Sequence, residues 1–369
     1  MKWLFMVLVI AALLGGFFYF FRHQASPPLV VSSLSPALLS PSSAPSCPPG
    51  FILIPGNPVY KTSDFCVMKY DAKCASVTDP AVGLAPAPGS ACTNEGTYKN
   101  NGPGCACTGD KIVVSTASGS PLTYIPETSS ASASAVAYCA AAGWHLLTNP
   151  EWMTIARNVE QVSANWCNRD GTGCGASPGA AGKILANGHN DSSPNHALPA
   201  GPDSEPCFGT TTDGSNLCGG PTSQKRTLTL TNGSVIWDLA GNVWQWVDAT
   251  ITRKDQPAST TAGKLDQGWI WSEFAPGAAA TVITSSGSPP SLGYDAFRPT
   301  NPAWNSTNGV GRIYHYSAAS DTNTTLYTFI RGGNWRHGYD SGAFTIHMSP
   351  VPSTANIDDV GFRCAVLPR

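Results

Sequence analysis

Twelve cysteines, at 47, 66, 74, 92, 105, 107, 139, 167, 174, 207, 218 and 364, have the widest chemical repertoire of any residues in this 369-residue chain. A thiol can close a disulfide, ligate a soft metal ion or attack as a nucleophile. Zinc would need paired C-x-x-C knuckles or a Cys/His quartet. Neither is present, and the closest pair is Cys105-Ala106-Cys107, so disulfides are the better reading. The spacing of Cys167 with Cys174, and of Cys207 with Cys218, suits two short closed loops, although sequence order alone fixes no pairing. Other templates are missing: there is no G-x-S-x-G elbow, no P-loop and no H-E-x-x-H pair. His337 and His347 are isolated in sequence, and Asp358-Asp359 reads as a solvated loop before it reads as an acid–base pair.

An even, high cysteine count calls for an oxidising compartment, and the N-terminus supplies a route to one. From Trp3 to Phe21 the chain is apolar throughout, flanked by Lys2 and by Arg22-His23. That run of about 19 residues matches the roughly 20 needed to span a bilayer. It ends in Phe17-Phe18-Tyr19-Phe20-Phe21 with no A-x-A cleavage pattern, which favours an uncleaved anchor over a cleaved signal. We therefore expect a single-pass cell-membrane protein with residues 1–23 as transmembrane helix and its C-terminal domain outside the cell. With 21 basic and 23 acidic residues, net charge −2, there is no electrostatic case for a nucleic-acid partner.

Residues 24–47, rich in Ser and Pro, form a stalk, and a globular domain runs over 48–369. FILIPG at 51–56 and FCVMKY at 65–70 open it as strands. The stretch 74–128 carries four cysteines with little periodicity and reads as an irregular, disulfide-rich insertion. One helix is predicted over 129–142. A second begins with Asn149 as N-cap, Pro150 at the first helical position and Glu151 in the first turn, and buries Trp152, Ile155, Ala156 and Val159 as one stripe. TLTLTNGSVIWDL at 227–239 is a hairpin turning at Asn232-Gly233. Residues 161–225 and 250–328 read as loops, the latter aromatic-rich, and the last 40 residues return to short strands.

Four segments in order resemble the formylglycine-generating-enzyme and sulfatase-modifying-factor family. They are FILIPG with FCVMKY, WHLLTNPEW at 144–152, WDLAGNVWQWV at 237–247, and RGGNW at 331–335 with GFRCA at 361–365. The resemblance implies an α+β, C-type lectin-like domain of that enzyme type with much irregular loop. On this reading Trp237, Trp244, Trp246 and Trp335 are core residues, while Gly241, Gly332 and Gly333 supply backbone conformations closed to other residues. Cys139 on the first helix and Cys364 on the last strand are expected to close the fold. The family holds a structural calcium (Ca2+) near the position of Asn242, where this chain has Gln245 in place of the usual Glu.

The family's enzymes oxidise a substrate cysteine with copper-binding cysteines placed just after R-G-G-S-W. Here that stretch is Arg336-His337-Gly338-Tyr339-Asp340-Ser341-Gly342-Ala343-Phe344, without a cysteine, and the histidine cluster of the related iron-dependent sulfoxide synthases is missing too. We therefore expect no catalysis and no required cofactor. The alternative is an exported oxidoreductase of the family with altered metal ligands.

The terminus also resembles the variable proteins of diversity-generating retroelements, which place a hypervariable polar stretch between R-G-G-x-W and G-F-R. Ala343, Phe344, Ile346, Met348 and Val351 read as scaffold. Arg336, His337, Tyr339, Asp340, His347, Ser349, Pro350, Thr354, Asn356, Asp358 and Asp359 read as the ligand-binding face. Each of these eleven is Asn or is reached from an Asn codon by changing adenines only, the substitution that such retroelements make. Lys, Gln and Glu are not reachable in this way and do not occur between Gly332 and Cys364. The expected partner is a protein or glycan on another cell or phage.

Overall fold

The structure is a computed structural model and describes residues 45–101, 104–128, 133–257, 268–274, 295, 297–317, 321–353 and 357–369. The anchor expected at 1–23 and nearly all of the stalk lie outside the described residues. Among the described residues no helix is long and apolar enough to cross a membrane.

The opening apolar runs pair as an antiparallel hairpin, β1 (Phe51–Ile54) with β2 (Phe65–Met68). All four residues of β2 are buried, the pattern of a strand covered on both faces. The insertion is more regular than its composition suggested. In it β3 (Lys73–Ser76), β4 (Asp79–Gly83) and β7 (Lys111–Val114) form one three-stranded sheet. A second is made by β5 (Thr93–Asn94), β6 (Thr97–Lys99) and β8 (Leu122–Thr123). Strands of two to five residues are too short to leave a readable period. Disulfides Cys74–Cys107 and Cys92–Cys105 hold these small sheets, and Cys47–Cys66 ties the domain's first residues to β2.

Next come α1 (Ala135–Ala141), β9 (His145–Leu146) and α2 (Asn149–Val159). Part of the helix predicted over 129–142 lies outside the described residues; the rest is capped by Ser134, whose hydroxyl accepts from Ala137 N–H. The cap of α2 is Thr148, one residue earlier than predicted. Its hydroxyl accepts from Glu151 N–H, and the Glu151 carboxylate accepts from Thr148 N–H at 2.9 Å, a reciprocal capping box. Asn149 is thereby freed from capping, and Arg331 uses its side chain instead. The predicted stripe of Trp152, Ile155, Ala156 and Val159 is buried.

Two small pairs follow, β10 (Trp166–Cys167) with β11 (Ile184–Leu185), and β12 (Thr227–Thr229) with β13 (Val235–Trp237). In the second, only Gly233 of the Asn232-Gly233 turn is left-handed, at φ 84°, and its N–H bonds Leu230 O at 2.9 Å. This is the three-residue loop ending in a glycine bulge, one residue wider than a two-residue turn.

The remaining strands are β14 (Trp244–Thr252), β15 (Gly268–Ser272), β16 (Ile313–Ser317), β17 (Leu326–Arg331), β18 (Ile346–His347), β19 (Val360–Phe362) and β20 (Cys364–Val366). Six of them form the main sheet in the order β15-β16-β18-β17-β14-β19. The aromatic stretch 250–328, read as loop, thus supplies β15, β16 and the start of β17. β20 leaves for a second sheet, β1-β2-β20-β9, which joins the two ends of the domain.

The main sheet is packed on both faces. On one, Ile313, Phe329, Phe344 and Ile346 lie in one core with Trp152 and Ile155 of α2. On the other, Trp246, Ile330 and Phe362 lie in a second core with Tyr138 and Cys139 of α1 and with Tyr98 and Leu122 of the insertion. Cys139 is bonded to Cys364, 225 residues away, so the second layer is cross-linked to the C-terminal strand. Toward β15 and β16 this second face opens: Trp269, Trp271, Tyr314 and Tyr316 are only half-buried.

Candidate functional site

The C-terminal segment is pinned at both ends by buried residues. Gly332 and Gly333 sit at φ 92° and 85°, and a Cβ on Gly333 would lie 2.2 Å from Ser341 Oγ, so no other residue fits that turn. Arg331 is buried and donates to Phe344 O at 3.1 Å and to Asn149 Oδ1; burial pulls its pKa down to about 9. Trp335 is also buried, and its backbone N–H donates to Asn242 O at 3.1 Å. Ala343, Phe344, Ile346 and Met348 are buried as scaffold, while Val351 is half-buried.

Between these anchors the proposed face divides into three groups. In the first, Arg336, with 38% of its side chain exposed, lies 3.1 Å from Glu95, 3.9 Å from Asp358 and 3.8 Å from Asp359. Asn94 donates to Asp358 at 3.3 Å, and Asn334 donates to Asp359. Burial, reinforced by Asp358, pushes the Asp359 carboxyl up to about 6. In the second group, the His337 ring lies 5.0 Å and the His347 ring 5.6 Å from that of Trp244. Desolvation lowers His337 to about 4 and His347 to about 3, so both are neutral near pH 7. Ser349 belongs here, its hydroxyl 3.2 Å from His347 Nδ1.

The third group points elsewhere. Tyr339, 57% exposed, has the Arg169 guanidinium 4.5 Å above its ring and borders a cavity of about 320 Å³ lined also by Asn190, Asp191 and Gln224. Asp340 bonds Arg312 at 2.9 Å. Pro350 is corrected: it is buried, with its carbonyl accepting from Thr328 N–H at 2.9 Å, so it supports the strand and presents nothing to a ligand. Thr354 and Asn356 lie outside the described residues.

The sequence reading missed the aromatic neighbours of this face. Trp271 pairs with Tyr314 across β15 and β16, and Tyr314 pairs with His347 across β16 and β18, so the three form one row across the sheet. Trp269 pairs with Tyr316 in the next row, and Tyr327 packs against Trp269 at 5.3 Å. The signal was present as GWIWS and IYHYS, aromatics at period two with one face outward.

The residues around Asn242 do not fit a calcium ion. The Asn242 Oδ1 accepts from Leu198 N–H at 2.8 Å, and its Nδ2 donates to Asp71 at 3.1 Å. Positive charge is already supplied by Arg363, which donates to Gln245 Oε1 at 2.6 Å and to Asp71 at 2.8 Å. Gln245 is the residue that accepts this guanidinium, while its own Nε2 donates to Asp238 O. Among the described residues no three His, Cys, Asp or Glu side chains gather as a metal site. The twelve cysteines form six disulfides, including Cys167–Cys174 and Cys207–Cys218, and none is free.

Short helices packed on a mixed, sheet-rich core with long connections agree with a C-type lectin-like domain, the fold of the family that the chain matches. The chain belongs to the sulfatase-modifying factor enzyme 1-like domain family, whose pattern matches residues 122–367, more than half of its length. The opening strands and most of the insertion precede that match. None of the curated proteins compared with the chain matches it.

Proposed function

We propose that this protein is a cell-surface receptor or adhesin, anchored by its N-terminal helix, that displays a variable C-terminal binding face on a C-type lectin scaffold. A diversity-generating retroelement would supply the variation, and the ligand is a protein or glycan on another cell or phage. The observation that carries this reading is the division of labour within 331–364. Arg331, Trp335, Phe344, Ile346, Met348 and Phe362 are buried, while Arg336 and Tyr339 between them are exposed. A surface whose supports are separate from its contact residues tolerates substitution without loss of the fold. The commitment of every cysteine to a disulfide supports a binding role over the thiol chemistry of the family's enzymes.

Sequencing the DNA for residues 331–365 across a population of the source organism tests variation. Substitutions concentrated at 336, 337, 339, 340, 347, 349, 354, 356, 358 and 359, with Trp335, Phe344 and Gly361 fixed, are expected. A uniform segment would remove diversification. Copper-dependent oxidation of a cysteine peptide by the folded protein would overturn the non-enzymatic reading.

A further inference from the structure

The half-buried aromatic row extends the proposed face beyond the segment read as variable. It consists of Trp269 and Trp271 on β15, Tyr314 and Tyr316 on β16, Tyr327 on β17 and His347 on β18. Trp269, Trp271, Tyr314, Tyr316 and His347 share, by strand alternation and register, the face of the sheet whose inner part is covered by α1 and the insertion, and Tyr327 joins them through its ring contact with Trp269 at 5.3 Å. Among the described residues nothing hydrogen-bonds the Trp269 or Trp271 indole N–H, or the Tyr314, Tyr316 and Tyr327 hydroxyls. Aromatic side chains that are only half-buried usually meet a partner that is apolar on one side and wet on the other.

Charge narrows the chemistry of that partner. Among the described residues, each arginine bordering the row already has a counter-ion. Arg253 lies 4.2 Å over the Tyr316 ring and is bound by Asp321 at 2.6 and 3.1 Å. Arg312 is held by Asp340 at 2.9 Å and Glu273 at 3.4 Å, and Arg336 by Glu95 at 3.1 Å. Among the described residues the row therefore presents no unbalanced cation to draw an anionic ligand, and a neutral ligand needs none.

The two histidines narrow it further. The His347 Nδ1 accepts from Ser349 N–H at 3.4 Å, which leaves its Nε2 as the N–H donor. Asp359 orients the Asn334 amide so that its Oδ1 faces His337 Nδ1, which must then carry the proton. His337 Nε2 is therefore an acceptor. A site that offers stacking faces with both donors and acceptors suits a polyol ring, whose C–H face meets the negative π face and whose hydroxyls both give and accept. A proline-rich peptide offers carbonyl acceptors and would leave His337 Nε2 unmatched.

We propose that the β15–β16 aromatic row, with His337 and His347, is a calcium-independent binding site for a neutral oligosaccharide. This rests on the reading of the protein as a ligand-binding receptor, but not on whether its terminus varies, so the population sequencing above can fail without touching it.

The test is to apply the full-length protein, in detergent, to an array of neutral hexose oligomers, with and without EDTA. A parallel array carries proline-rich peptides. Binding of at least one neutral oligomer, unchanged by EDTA and weakened tenfold or more by Trp271→Ala or Tyr314→Ala, is expected. Trp269→Ala, at the edge strand, serves as a second variant, and each variant is checked for an unchanged melting temperature. Titration with the bound oligomer should quench or shift tryptophan fluorescence in the wild type and less so in Trp271→Phe. Loss of binding in EDTA would overturn the proposal. So would recognition of the peptides alone, binding of no neutral oligomer, or binding that survives in all three alanine variants.

Discussion

The rings of Tyr314 and His347 stack at 4.2 Å between centroids, on residues that are direct partners in the parallel pairing of β16 with β18. A residue read as variable thus rests on one outside the variable segment. His347 is also desolvated, and with neighbouring His337 it must stay neutral to remain in place.

This neutrality predicts an acid-sensitive fold. The folded values of about 4 for His337 and about 3 for His347 are below the ordinary 6.5. A lowered value means that the unfolded chain binds the proton first, so the contribution is complete above pH 6.5 and is lost as pH falls toward 3. At pH 5 the loss is roughly 2 kcal/mol per histidine. Denaturant melts between pH 7 and 4.5 should show His337→Gln and His347→Gln losing less stability than the wild type. Parallel curves would mean the rings are hydrated.

Glu127 predicts the opposite slope. It is buried, its Oε2 has no hydrogen-bond partner among the described residues, and burial with nearby Asp248 pushes it up to about 8. Because the folded value is raised above 4.5, its contribution is complete below pH 4.5 and is lost as pH rises through 8. The wild type should lose roughly 4 kcal/mol from this group between pH 5 and 9. Glu127→Gln should match it at pH 5 and exceed it at pH 9. Equal stability at pH 9 would contradict the assignment.

These two groups show where sequence reading stops. The buried stripe of α2, the core tryptophans and the glycine turn of RGGNW were legible because period and backbone constraint are local. Thr148 was passed over as the cap because Asn149-Pro150 is an equally good local signal; only the distant Arg331 decides what Asn149 does. The aromatic row was missed because it is assembled from three strands separated by long connections, which no window of sequence spans. Pro350 looked like part of a polar loop, yet its burial depends on a β17 partner, Thr328.

The cross-link between α1 and β20 predicts an ordering among the disulfides. Cys139–Cys364 spans 225 residues, against 7 for Cys167–Cys174. If the bonds act by restricting the unfolded chain, removal costs about 5 kcal/mol for the first and about 2 kcal/mol for the second. Paired alanine replacements, followed by denaturant unfolding, should reproduce that order. A larger loss from the short loop would point to native-state packing around Cys167 as the dominant effect.

Arg363 and Arg336 should differ in what their surroundings cost to disturb, the first sitting in the core and the second on the proposed face. Arg363 is fully buried, and its charge is matched by Asp71 at 2.8 Å, with Met68 O accepting a further bond at 3.0 Å. Burial raises Asp71 even with this partner beside it, which marks how costly the site is to ionise. Asp71→Ala would leave the Arg363 guanidinium uncompensated and should destabilise the domain by about 3–5 kcal/mol. Arg336 also touches carboxylates, but on the surface, where such pairs contribute roughly 0–1 kcal/mol. Arg336→Ala should therefore leave the urea midpoint almost unchanged while weakening ligand binding. If Arg336→Ala unfolds the protein as Asp71→Ala does, the Arg336 cluster belongs to the scaffold and not to the binding face.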